Sequence, residues 1–295
     1  MDAADAWARY WSTGRTHSCF SGGAPFDCAE RWTGFFDTLT GGARIIDLAC
    51  GGGALTRQAA AHGKAFAVTG VDFAQSAPEI AGADVRPGVS LEALAFPDAA
   101  FDAAVSQFGL EYADLDRAVP EAARVLTPGG RFGFLTHHAG SAVSRGAAER
   151  RARLDPLLAD GGPVRKAVRL GAARAAGEHR PDLLDSIAAD FAAARSVKLD
   201  EATAWAYGFL AEIMNKHMQF PPAYLDENAR TLLAELEAMA LRLDQMLAAA
   251  RSADDIEALS ARLSASGCAL EVQETVRDTR GDIVAWWLQG VRRQG

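Results

Sequence analysis

Basic residues are in the minority in this chain of 295 residues: 30 Lys and Arg stand against 38 Asp and Glu, a formal net charge of −8. A nucleic-acid or anionic-membrane surface needs clustered cations, so no nucleic acid and no membrane are expected among its partners, although a local basic pocket remains compatible. Cysteine is sparse and scattered. Cys19, Cys28, Cys50 and Cys268 form no CxxC pair, and no His–Cys cluster has zinc-like spacing. Neither a disulfide framework nor a metal site is expected. No apolar run approaches the ~20 residues that a bilayer span requires. The opening residues, MDAADAWARYW, carry acids where a signal peptide needs bases. A cytoplasmic protein is the expectation.

What the chain does have is glycine in one place. In RIIDLACGGGALT (44–56) an apolar run ends in Asp47 and is followed by Gly51, Gly52 and Gly53. Consecutive glycines lose packing and cost backbone entropy in a strand or helix, so they mark a loop that something approaches closely. No Gly-Lys-Ser/Thr follows, which excludes a Walker-type phosphate loop. A dinucleotide loop of G-x-G-x-x-G spacing fails at its first position, where Ala49 stands. Asp47 would also repel a pyrophosphate and suits a ligand with a positive group.

Around this loop the pattern alternates. Strands are read at 44–48, 65–71, 101–108 and 131–136, and helices at 54–62, 76–81 and 116–126, with Gly63 as a C′ residue and TPGG as a turn before 131. A short stretch at 84–90 completes the second unit. Such alternation predicts a parallel, doubly wound α/β sheet. From 140 to 250 no strand is evident. Leu232, Leu233, Leu236, Met239, Leu243 and Leu247 follow helical spacing there, which suits core packing, with a homodimer seam through this insertion as the alternative. A helix at 254–266 and two strands at 268–277 and 282–292, joined by DTRGD, close the chain as a hairpin.

The segment Asp47-Leu48-Ala49-Cys50-Gly51-Gly52-Gly53 resembles motif I of the class I S-adenosylmethionine-dependent methyltransferases, with Ala49 in place of the first glycine. Asp72, closing the second strand, matches that family's ribose-binding acid. The segments 94–112 and 124–136, and the closing hairpin, resemble the parts that follow in order. The resemblance implies a Rossmann-like, mostly parallel sheet with an antiparallel closing pair, at 41–139 and 251–295. It also implies an N-terminal lid over 1–40 and a helical insertion after the fifth strand, at 140–250, as a cap over the acceptor. The implied cofactor is S-adenosylmethionine, held by Asp47, Ala49, Cys50, Gly51, Gly53, Asp72, Phe73, Ser90, Leu91 and Gln107. Ser90 stands where the family commonly has an adenine-binding acid, and Glu92 is the alternative. A helix N-cap before Ala74-Gln75 is the alternative for Asp72, disfavoured by its place after a buried strand.

Ligands of open α/β sheets bind beyond the carboxyl ends of the strands. Ser106-Gln107-Phe108-Gly109 lacks the Asn/Asp-Pro-Pro-Tyr/Phe of amine-directed methyltransferases, so an exocyclic-amine acceptor is not expected. The leading reading is a small-molecule acceptor methylated on oxygen rather than carbon or nitrogen. His138, or else His137, is the expected base; Glu111 and Tyr112 are weaker candidates. Tyr10, Trp11, His17, Tyr112, Asn215 and His217 are the expected acceptor-binding residues. A cofactor-binding regulatory protein without turnover and an NAD(P)-dependent oxidoreductase are the competing readings.

Overall fold

The computed structural model describes residues 3–14, 28–194, 200–216 and 218–294. His17, Cys19 and His217 lie outside them. The chain divides into two compact units, Met1–Arg145 with Gln245–Gly295, and Gly146–Asp244.

The first unit begins with α1 (Ala3–Trp11) and α2 (Ala29–Asp37), followed by β1 (Arg44–Leu48), α3 (Ala54–Ala60), β2 (Ala67–Val71), β3 (Ala83–Arg86), β4 (Phe101–Gln107), α4 (Leu115–Val125) and β5 (Leu126–His137). Next come α5 (Ala142–Leu158), α6 (Pro163–Ala175), α7 (Pro181–Ala194), α8 (Glu201–Lys216) and α9 (Pro222–Ala249), then α10 (Ala253–Ala265), β6 (Cys268–Arg277) and β7 (Ile283–Arg292). The strands form one sheet in the order β3-β2-β1-β4-β5-β7-β6. β1 to β5 pair in parallel, and β7 runs antiparallel to both β5 and β6. Strand order reverses between β1 and β4, the point at which such sheets open a crevice.

Alternation along β1 sends neighbouring side chains to opposite faces. Ile46 and Leu48 join α4 and α10 through Val119, Ala122, Ile256 and Leu259. Ile45 joins the other face with Trp32, Phe35 and Phe36 of α2 and Leu55 of α3. Thus α2 is a core helix, and of the 1–40 segment it is α1 whose residues reach the crevice described below. The second unit has its own core, including Leu170, Ile187, Leu210, Ile213 and Leu225. Leu232, Leu236 and Leu243 of the α9 stripe are buried.

Three local expectations differ from the structure. Residues 76–81 form no helix, because Pro78 removes a donor and biases Ala77 away from helical geometry. The stretch after it is the edge strand β3, pairing with β2. TPGG lies inside β5 as a looped-out bulge: Leu126 pairs with Phe101 and Arg131 with Ala103, with Gly129 at φ +78°. α3 also stops at Ala60, before the expected Gly63 terminus.

Candidate active site

Above the carboxyl ends of β1, β2 and β4 lies a cavity of about 550 Å³, a size typical of small-molecule and cofactor sites. Every described residue lining it belongs to the first unit.

One end is built from backbone. Asp47 is 1% exposed and accepts a 2.6 Å bond from the Thr56 hydroxyl behind the glycine loop. Burial pushes its carboxyl up to about 7. The turn then needs left-handed backbone three times: φ is +56° at Ala49, +52° at Gly51 and +77° at Gly53. Ala49 thus bears strain that glycine would not, a cost of order 1 kcal/mol. Gly109, after β4, packs against this turn so closely that a Cβ would sit 2.7 Å from that of Ala49. Asp72 holds the loop, accepting from the Gly51 N–H through Oδ2 and from the Ala74 N–H through Oδ1, both at 2.8 Å. Burial raises its carboxyl, and it lines the cavity. No helix starts at Asp72, so it is not a helix cap. Phe73 (56% exposed), Ser90 and Leu91 extend the same wall. Glu92 is engaged by the Asp114 N–H (3.1 Å) and by Arg117 (3.0 Å), which leaves Ser90 as the freer group there.

The other end is built from side chains. After β4 a single 3-10 turn, Leu110–Tyr112, carries Glu111 and Tyr112 into the cavity. Ser106 anchors it, donating to the Leu48 carbonyl (2.8 Å) and accepting from the Leu110 N–H (2.9 Å). Glu111 is 2% exposed. Its Oε1 accepts from the His137 N–H at 2.8 Å, while Oε2 has no partner among the described residues. Burial pushes this carboxyl up to about 7. Arg251, between α9 and α10, donates through Nη2 to the Glu111 carbonyl at 2.6 Å and lines the same wall. Trp7 and Trp11, one turn apart on α1, cover this region. Trp7 packs edge-on to Tyr112 at 5.6 Å and donates to Gln245 at 2.9 Å. The Trp11 ring lies against Gly51, where a Cβ would come within 2.5 Å of it.

Of the expected residues, Ala49, Asp72, Phe73, Ser90, Leu91, Trp11 and Tyr112 line the cavity. Asp47 and Cys50 are buried behind the loop, and Gly51 and Gly53 shape the turn without facing the cavity. Gln107 points to the opposite core, accepting from the Trp32 indole N–H at 2.6 Å. Neither histidine lines the cavity. His137 is buried behind Tyr112, whose hydroxyl lies 3.2 Å from its Nε2, and burial pushes its pKa down to about 3. His138 stacks on Trp286 at 4.6 Å, and its Nδ1 accepts from the Gly140 N–H. Tyr10 packs edge-on to Trp11 at 4.9 Å outside the lining, and Asn215 is exposed on α8. Sequence reasoning misses Trp7 and Arg251 and undervalues Glu111. The Trp7/Trp11 pair at helical spacing is a usable signal; Arg251 has none.

The crevice at the strand-order reversal thus combines an acid-led glycine turn with a second acid closing β2. Residues 46–134 match the methyltransferase domain family. Over that segment the chain carries a methyltransferase domain similar to those of the class I S-adenosylmethionine-dependent methyltransferases, which supports S-adenosylmethionine as the cofactor. It is 42% identical over 102 residues to a demethylmenaquinone methyltransferase of Thermus thermophilus, a match spanning 31% of this chain and 46% of that protein. Among solved structures, the complex between the Haloferax volcanii Trm112 methyltransferase activator and a putative methyltransferase gives a TM-score of 0.50. It does so at 12% identity, over 99% of this chain and 96% of that one, which shows the fold. An S-adenosylmethionine-dependent methyltransferase from Mesorhizobium loti gives 0.46 at 19% identity, over 91% and 100%.

Proposed function

We propose that this protein transfers a methyl group to a hydroxyl oxygen of a small organic acceptor held in the cavity, with Glu111 taking the hydroxyl proton. The observation that carries this reading is the Glu111 carboxyl: it lines the cavity, is sealed from bulk water and keeps one oxygen uncommitted. S-adenosylmethionine, when bound, supplies an electrophilic methyl group on a sulfonium. Asp72 and Ser90 suit its ribose hydroxyls and adenine edge, and Phe73 offers an apolar face for the base. At the far end the protein's work is to align an oxygen and remove its proton. A carboxyl raised to about 7 populates both protonation states near neutral pH, as a general base requires. Trp7, Phe108 and Tyr112 surround it with aromatic surface and exclude water. The Thermus thermophilus relative, whose name gives demethylmenaquinone as its acceptor, supports an organic small molecule in that role.

Incubation with methyl-labelled cofactor and a metabolite extract, read by mass spectrometry, tests the reading. A labelled product methylated on oxygen is expected. Label on carbon or nitrogen would overturn the hydroxyl assignment, and cofactor binding without any product would favour a regulatory protein.

A further inference from the structure

Arg251 is the one cation among the described residues lining the cavity. The other charged lining residues are Asp72, Glu92 and Glu111. Its main chain is clamped. Its N–H donates to the His137 carbonyl at 2.8 Å, and its carbonyl accepts from the Ala139 N–H and the Trp286 indole, both at 2.9 Å. The next residue, Ser252, starts α10 with a capping box closed by Asp255. The guanidinium therefore projects from a rigid joint. Yet its donors are poorly used. Nη2 meets the Glu111 carbonyl, and Nε is shut off from water with no acceptor among the described residues. Of the two carboxyls that sense its charge, Asp255 is taken by Ser252, and Glu111 has one oxygen on the His137 N–H and the other without a partner among the described residues. A half-buried cation with unmet donors is costly unless an anion completes it.

We propose that Arg251 holds an anionic group of the acceptor, which is a hydroxylated aromatic acid with its carboxylate on the guanidinium and its neighbouring hydroxyl at Glu111. Three features support this substrate class. A guanidinium matches a carboxylate in shape and donor number, and the pairing is stronger than a neutral hydrogen bond. The 2.6 Å bond from Arg251 runs to the main-chain carbonyl of Glu111, and the carboxyl of the same residue senses the Arg251 charge. Cation and base thus lie on one stretch of the wall, which suits an acceptor whose acid and hydroxyl are close. Trp7, Phe108 and Tyr112 form walls suited to a flat ring. The inference rests on the acceptor site of the proposed function.

The test is calorimetric titration of the full chain, saturated with S-adenosylhomocysteine, with benzoate and 2-hydroxybenzoate and with their neutral amides. The acids should bind at least about tenfold more tightly than the amides. Arg251→Met should erase that preference and Arg251→Lys should keep part of it, with thermal melts confirming that each variant folds. Equal binding of acids and amides by the unaltered protein would overturn the proposal, as would a preference that survives Arg251→Met. Acid binding seen without S-adenosylhomocysteine and abolished by it would also overturn it, because Arg251 would then serve the cofactor's carboxylate. Methyl transfer is a separate readout. Acid binding with no transfer sinks the enzymatic reading alone, and transfer to an uncharged acceptor with no acid preference sinks this one alone.

Discussion

The two ends of the cavity are made by different means. At the β1–β2 end the wall is shaped by a main-chain turn of left-handed residues, held by the buried carboxylate of Asp72. At the β4–β5 end it is side chains, Glu111, Tyr112, Trp7 and Arg251, drawn from segments up to 244 residues apart. A backbone-built site depends on few residue types in one short run. A side-chain site depends on which distant positions the fold brings together. The first therefore suits a ligand of fixed structure, and the second suits one that varies.

The sharpest way to break this comparison is Glu111→Gln. Turnover should fall by ~10²–10⁴, the usual worth of a general base, with cofactor affinity within a few-fold. In the unaltered enzyme kcat/KM should rise with pH through about 7, and the variant should lose that limb. Normal turnover by the variant would return the base assignment to another group.

Asp72→Ala probes the opposite end. Cofactor binding should weaken by roughly 1.5–3 kcal/mol, as for bonds to a charged group, measurable by calorimetry. Folding stability should drop as well, because the Gly51 and Ala74 N–H groups lose their acceptor. A variant with unchanged affinity would remove Asp72 from the cofactor site.

Stability at the β4–β5 end should depend on pH in two opposite senses. Glu111 is raised to about 7, so between its unfolded value near 4.3 and pH 7 the unfolded chain releases a proton that the folded chain keeps. Stability contributed by the protonated group is complete at low pH and is lost as pH rises through about 7. Glu111→Gln should therefore gain roughly 2–3 kcal/mol relative to the unaltered protein between pH 4.5 and pH 8. His137, pushed down to about 3, acts in the reverse sense, costing stability as pH falls below about 6.5. Denaturant unfolding at several pH values checks both signs. The smallest effect is expected for His138→Ala, which should leave turnover within a few-fold because that ring stacks on Trp286 outside the cavity. A large loss there would restore the histidine as base.

Much of the first end is legible in the amino-acid order alone. Asp47, the glycine turn, Asp72, and the strands around them sit in order along some 30 residues, and local chemistry suffices to read them. Gln107 and Cys50 escape such a reading because their side chains turn to the far side of β4 and behind the loop, which linear spacing does not reveal. The histidines escape it for a related reason. Alternation along β5 does separate His137 from His138, but Arg251, β7 and the 3-10 turn already occupy the space around both.

Sequence by itself determined the alternating strands and helices, the antiparallel closing pair and the acid-led glycine turn, because each follows from periodicity, turn chemistry and backbone freedom within a few residues. Only the tertiary structure decided that Glu111 would be buried with an oxygen to spare beside Arg251, under a tryptophan from α1. Burial, missing partners and proximity across 140 residues are properties of packing, and no local pattern encodes them.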